Sequence, residues 1–280
     1  MRYDTDQPIP PSRIGFCAPV LGGGILVALV VFLIYWPARE NGFVFDDWVV
    51  LDVDNVTGIR DPALWRETLF RSPADFSTLF RPLTMLTFLL QLWTDPLEPR
   101  PFHIVNLAVH SINVFLLVLV ASRLPGGDVR ANTRPLLAVL CGLVYGIHPA
   151  LTEPVVWISA RADLLMTLFL MLALLLDLML LETGWRRAAA VGSLFLAAML
   201  CKESAVAFLL VLPMVHLAAH WLEPRAIGRG VLANVWGQHC QVYIALLVAL
   251  VVYLAARFAI FGPTFGVHTA RHISPVSQHI

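Results

Sequence analysis

The sequence predicts an all-α, polytopic membrane bundle of about seven spans with a long first outer loop. Three observations carry this. Of 280 residues, 58% are hydrophobic and only 14% charged, where a soluble domain carries about a quarter charged residues. Mean hydropathy is +0.75. Apolar runs recur near the length of roughly 20 residues that a bilayer-crossing helix needs. This composition excludes a disordered chain and argues against a water-soluble enzyme. Nineteen Lys plus Arg balance nineteen Asp plus Glu, so no net charge draws the chain to nucleic acid.

The spans follow in order. Residues 20–36 form the first run, and Trp36-Pro37-Ala38-Arg39 reads as a membrane exit rather than a cleavage site. Residues 102–121 form the second. Residues 136–147 form a shorter third that can continue to Trp157, and 164–181 the fourth. Residues 188–200 and 204–221 are split by Lys202-Glu203, and 242–260 complete the set. Seven spans result, or six if the split pair is one kinked helix. Helices are required because lipid leaves backbone groups unsatisfied. The expected organisation is an inner segment 1–19, a membrane core 20–261 with an outer loop 39–101, and an outer tail 262–280. Within that loop, residues 62–70 have helical apolar spacing, and residues 79–93 are apolar enough to lie flat or re-enter the membrane.

Arginine sets the orientation. With the N-terminus inside, the inner segments hold Arg2, Arg13, Arg123, Arg130, Arg134, Arg186, Arg187, Arg225 and Arg229, and the short outer segments hold fewer cations. The unusual polar groups then fall on one membrane face: Asp46-Asp47 and Arg81 in the first loop, His148, Glu153, Arg161 and Asp163 after the third span, and Lys202-Glu203 after the fifth.

Each group has a chemical and a plain reading. Asp46-Asp47, among aromatic residues, can take a proton from an acceptor hydroxyl, or be a solvated loop or helix cap. His148, Glu153, Arg161 and Asp163 can hold a phosphate, or close a turn with an Arg161–Glu153 salt bridge. Lys202-Glu203, the chain's one lysine with its neighbour, can be a buried functional pair or a helix-end ion pair. In the second span His103, Asn106, His110 and Asn113 share a helix face. They read as a ligand path or as hydrogen bonds between helices. No HExxH is present and no carboxylate shares that stripe, so no metal site is expected there. Cys17, Cys141, Cys201 and Cys240 have no paired spacing. No GxxxxGK[ST], GxGxxG or GxSxG occurs.

Together, residues 41–47 (NGFVFDD), 65–70 (WRETLF), 81–88 (RPLTMLTF), 102–110 (FHIVNLAVH), His148-Pro149 with Thr152-Glu153, 159–163 (SARAD) and 201–203 (CKE) resemble the transmembrane-and-tetratricopeptide-repeat (TMTC) O-mannosyltransferases. These are polytopic glycosyltransferases of the GT-C class. The resemblance covers residues 40–215 and implies a lipid-linked chemistry. A sugar, mannose-like, would pass with inversion from a polyprenyl or dolichyl phosphate donor to an acceptor hydroxyl of a protein Ser/Thr or a glycan. It would act in the bacterial inner membrane or the endoplasmic reticulum. Asp46 and Asp47 would be the catalytic carboxylates. Arg161, Lys202, Arg81 and His148 would bind the donor phosphate, with Glu153, Asp163, Glu203 and His103 in support. The scheme calls for no cofactor, although a carboxylate pair leaves a divalent cation open. The repeat array of the family has no counterpart after the last span, so a separate tetratricopeptide-repeat protein is a candidate partner. The alternative classes are a transporter or flippase, or an inactive lipid-binding accessory subunit.

Overall fold

The computed structural model describes residues 16–51, 69, 79–94, 98–124, 133–180, 184–221 and 230–262. The amphipathic stretch expected over residues 62–70 lies, apart from Leu69, outside the described residues, as do most of the two terminal segments. Every regular element among the described residues is helical. We number the longer helices α1 (Ala18–Tyr35), α2 (Pro82–Thr94), α3 (Pro99–Arg123), α4 (Arg134–Gly146), α5 (Arg161–Met179), α6 (Trp185–Cys201), α7 (Phe208–Trp221) and α8 (Val231–Phe261).

Among the described residues, five helical stretches are long and apolar enough to cross a membrane: Ala18–Glu40, Pro99–Arg123, Ile158–Met179, Glu203–Trp221 and Val231–Phe261. A sixth arises if Arg134–Gly146 and Pro149–Val156, bent by 55° at residues 147–148, act as one span. The bend sits at a proline, which cannot donate to the preceding turn. The expected seventh is α6, whose 17 residues extend about 26 Å. The chain is therefore a multi-pass helical membrane protein, with five or six candidate crossings among the described residues.

Helix α3 is the hub. It packs against α1, α4 and α5; α6 packs between α5 and α8, and α7 closes on α8. Of the most apolar window of α3, 56% is buried, against 17% for α8, so α3 is interior and α8 faces lipid. The α1–α3–α4 contacts depend on glycine. A Cβ on Gly142 would lie 2.4 Å from Val118 Cγ2, and one on Gly146 would lie 2.5 Å from Val31 Cγ2. Small residues allow such close helix approach where no hydrophobic difference from lipid drives association.

Helix α2 does not span. Its 13 residues reach only about 20 Å. Its first turn meets the α6–α7 turn, and its last turn meets the starts of α3 and α5. It thus ties the α6–α7 turn to the starts of α3 and α5 at one end of the bundle. We call this the Asp47 end. At the opposite end, exposed Trp185, Trp221 and Trp236 form an aromatic belt of the kind found at a membrane–water interface.

Candidate functional site

The site grows from the first turn after α1. Phe45 adopts φ 47°, a left-handed conformation uncommon for a non-glycine residue. That twist lets the Asp47 carboxylate fold back on its own loop: Oδ2 accepts the Val44 amide at 3.0 Å. Oδ1 accepts the Ser159 amide at 2.8 Å and also the Ser159 hydroxyl. Asp47 is fully buried, with three donors on its two oxygens. Asp46 is exposed, and its carboxylate makes no hydrogen bond among the described residues. The two neighbours therefore have different chemistry. Asp47 latches the loop to the 158–160 turn, and Asp46 keeps its lone pairs open.

Arg161 follows that turn and is 0% exposed. Its Nε donates to Asn106 Oδ1 at 2.9 Å, and its Nη2 donates to Gln91 Oε1 at 2.9 Å and to the Phe102 carbonyl at 3.2 Å. The guanidinium lies 4.3 Å from the Phe88 ring centre. No carboxylate neutralises it among the described residues, and Nη1 is buried without a partner. A buried cation without a counter-charge is costly. The amide oxygens and the ring faces offset part of that cost. The plain reading of an Arg161–Glu153 ion pair is not what forms; Glu153 is exposed elsewhere on the 149–157 elbow.

The other cations are paired. Arg81 grips Glu203 with Nε to Oε2 at 3.0 Å and Nη2 to Oε1 at 2.7 Å. Lys202 Nζ donates to both Asp163 oxygens at 2.6 Å. Thr84 donates to the Cys201 carbonyl at 3.1 Å. Arg81, Thr84, Phe88 and Gln91, spaced three, four and three, form one face of α2. That face holds down the ends of three helices. Of this stripe, Gln91 and Thr84 are candidate-site residues that the sequence does not single out; their polar side chains on an otherwise apolar helix are the available signal.

Between these groups lies a small cavity of about 70 Å³ whose lining includes Arg81, Thr84, Phe88 and Ser159. Through Ser159 it touches the Asp47 latch. The expected residues from four separate stretches are thus joined: 46–47, 81, 159–163 and 202–203. Three others are placed apart. His148 uses Nδ1 to cap its own turn, accepting the Ala150 amide at 3.2 Å. Glu153 lines a larger groove on the other side of the loop. His103 is fully buried away from the Arg81 cavity, behind Asp47 and against the backbone of Asn41, Gly42 and Val156.

The rest of the α3 stripe takes its plain reading. Asn106 Nδ2 donates to the Trp157 and Ile158 carbonyls, His110 Nε2 bonds the Gly146 carbonyl, and Asn113 donates to the Leu164 carbonyl. These bonds tie α3 to the end of α4 and to the start of α5 with the turn before it.

A second polar cluster sits at the far end. Arg187 donates Nε and Nη2 to Asp177 Oδ1 at 2.9 and 2.7 Å. His216 Nε2 meets Asp177 Oδ2 at 2.6 Å and its Nδ1 meets the Tyr243 hydroxyl at 2.8 Å. Arg187, expected in an inner loop, is instead buried at the start of α6. Ligand atoms of Asp177, His216 and His239 lie within 4.8 Å of one another. Yet the two imidazoles are stacked at 3.6 Å and 14°, so their in-plane lone pairs cannot converge on one ion. Arg187 Nη2 also occupies His239 Nδ1 at 3.1 Å. The donor set fits a structural charge network, not a metal.

The fold and the Asp47 end define a polytopic helical membrane protein that gathers acidic and basic side chains at one end of its bundle. Comparison with known proteins gives the family. The chain is 31% identical over 186 residues to the human protein O-mannosyl-transferase TMTC4, covering 61% of this chain and 24% of the relative. It is 31% identical over 229 residues to mouse TMTC4, covering 74% and 30%, and 33% identical over 190 residues to Drosophila melanogaster protein O-mannosyl-transferase Tmtc1, covering 65% and 21%. This chain is a relative of the TMTC protein O-mannosyl-transferases, as the sequence motifs imply. It spans less than a third of the length of these relatives. No family profile and no solved structure matches it.

Proposed function

We propose that the chain is the membrane core of a glycosyltransferase that moves a mannose-like sugar from a polyprenyl phosphate donor to a protein hydroxyl, with inversion. The observation that carries this reading is the bolting of the Asp46–Asp47 turn, through Ser159, to the Arg81-lined cavity. The turn that carries an open carboxylate and a phosphate-binding cation are thereby held at the same end of the bundle. The N-terminus lies on the inner side and the Asp47 end outside, following the arginine distribution.

In this mechanism the donor phosphate sits against Arg81, with Lys202 beside it. Arg161, behind Phe88, adds the field of an uncompensated buried charge, worth more in a low-dielectric surrounding than in water. The acceptor oxygen attacks the anomeric carbon as the carbon–oxygen bond to phosphate breaks. Asp46 takes the hydroxyl proton, and the lipid phosphate leaves with the bonding electrons. One displacement inverts the centre. Asp47 is the positioning residue that fixes where Asp46 stands. Asp163 and Glu203 orient Lys202 and Arg81.

The test uses the full chain in lipid nanodiscs with a mannosyl polyprenyl phosphate and a Ser-containing peptide. Asp46→Asn lowers transfer by about 10²–10⁴-fold and leaves the unfolding temperature unchanged. Asp47→Asn places an amide NH₂ against a backbone N–H, which costs about 1–3 kcal/mol and lowers that temperature. Undiminished transfer by Asp46→Asn removes the proposed base. No transfer by the parent chain with any sugar donor removes the enzyme.

A further inference from the structure

On the side of the loop away from the Arg81 cavity lies a groove of about 740 Å³, walled by Asn41, Phe45, Thr152, Glu153 and Trp157 among others. Its volume falls in the range of pockets that enclose drug-sized molecules, enough for several residues of an extended chain.

The groove has three unspent features. The first is polar. Trp157 carries a buried indole N–H with no partner among the described residues. Fully buried His103 lies behind it, against the backbone of Asn41, Gly42 and Val156, which line the groove. Buried donors without partners are rare and mark a place where a ligand or water completes the count. The second is aromatic: Phe45 is 83% exposed and meets Trp157 edge to face at 6.4 Å. The left-handed backbone at Phe45 holds the ring out, and such strain persists where surrounding structure enforces it. The third is charge. Glu153 is exposed and makes no ion pair among the described residues, no cation lines the groove, and Asp46 follows Phe45 at its rim.

We propose that this groove binds the acceptor as an extended polypeptide segment, in which the reacting Ser or Thr is flanked by an apolar residue against Phe45 and Trp157 and by a Lys or Arg opposite Glu153. The proposal rests on the transferase reading above. It adds a specificity: the acceptor approaches from the groove and the donor from the Arg81 cavity, on opposite faces of the Asp46–Asp47 turn. In-line displacement needs that opposition.

The experiment measures binding apart from turnover. Fluorescent peptides with a central Ser and a flanking Lys, Gln or Glu are titrated against the full chain in neutral-lipid nanodiscs, read by anisotropy, then offered as acceptors. The Lys peptide binds about fivefold more tightly than the Gln peptide, the size of a good exposed ion pair, and the Glu peptide binds more weakly still. Glu153→Gln abolishes the preference and Glu153→Lys reverses it. Trp157→Phe, which removes only the N–H and part of the ring, weakens all three. The exposed Glu153 side chain makes no hydrogen bond or ion pair among the described residues, so its variants keep the fold, and unfolding temperature checks this. Equal binding of the three peptides, or a preference that survives Glu153→Gln, overturns the groove assignment. Charge-selective binding without any sugar transfer would leave the groove standing and remove the transferase. Transfer without charge selectivity would do the reverse.

Discussion

Asp177→Asn is the most informative single change in the bundle. Asp177 and Arg187 have side-chain exposures of 1% and 7%, and the carboxylate takes two donations from Arg187 and one bond from His216. Removing its charge leaves a guanidinium buried beside two imidazoles. Breaking a buried pair in this way costs about 3–5 kcal/mol. The low end applies here, because Arg187 is the third residue of α6, close to exposed Trp185, and can reach toward the interface. Arg187→Met alone strands the carboxylate and costs a similar amount. The double variant Asp177→Asn/Arg187→Met has no stranded charge. Its loss falls short of the sum of the single losses by about 2–3 kcal/mol, the coupling range of contacting residues. At about 2–4 °C per kcal/mol, each single variant unfolds about 6–12 °C below the parent. Thermal unfolding in nanodiscs, followed by the fluorescence of the eight tryptophans, reads all four corners of the cycle. Strictly additive losses would refute the argument, since they would mean that neither charge feels the other.

Three further outcomes are expected. Gly142→Leu forces a side chain into Val118 and costs about 1–3 kcal/mol as overpacking; by contrast Gly237→Ala, with nothing within 4 Å, stabilises α8 by roughly 0.5–1 kcal/mol, both read by thermal unfolding. Arg161→Lys loses the planar fork that joins Asn106, Gln91 and the Phe102 carbonyl, so charge retention does not rescue it, and the unfolding temperature drops with sugar transfer. Reporter fusions after Trp48 and after Glu203 report one side of the membrane, and a fusion after Arg186 reports the other; any other pattern breaks the shared Asp47 end.

The bundle was legible because hydropathy alone fixes which segments must be helical and buried in lipid. The gathering of Asp46-Asp47, Arg81, Arg161, Asp163 and Lys202-Glu203 was legible for a related reason: charged residues fall at breaks between apolar runs, and breaks of one parity share a face. The division of labour within the aspartate pair was not. It depends on the turn at Phe45 and on Ser159, 112 positions away from Asp47, and neither leaves a local pattern. Likewise nothing in the composition of α2 names the helix ends that its polar face joins. The Asp177 cluster escaped because its members come singly from four helices, each set within an apolar run.

Helix α5 carries Arg161 and Asp163 in its first turn and Asp177 near its last, about 24 Å along its axis from Arg161. It is a strut with a charged pin at either end, seated in different neighbours. Tilting or sliding it at one membrane surface must therefore strain an ion pair at the other, so the two faces of this protein are mechanically in touch through a single rod.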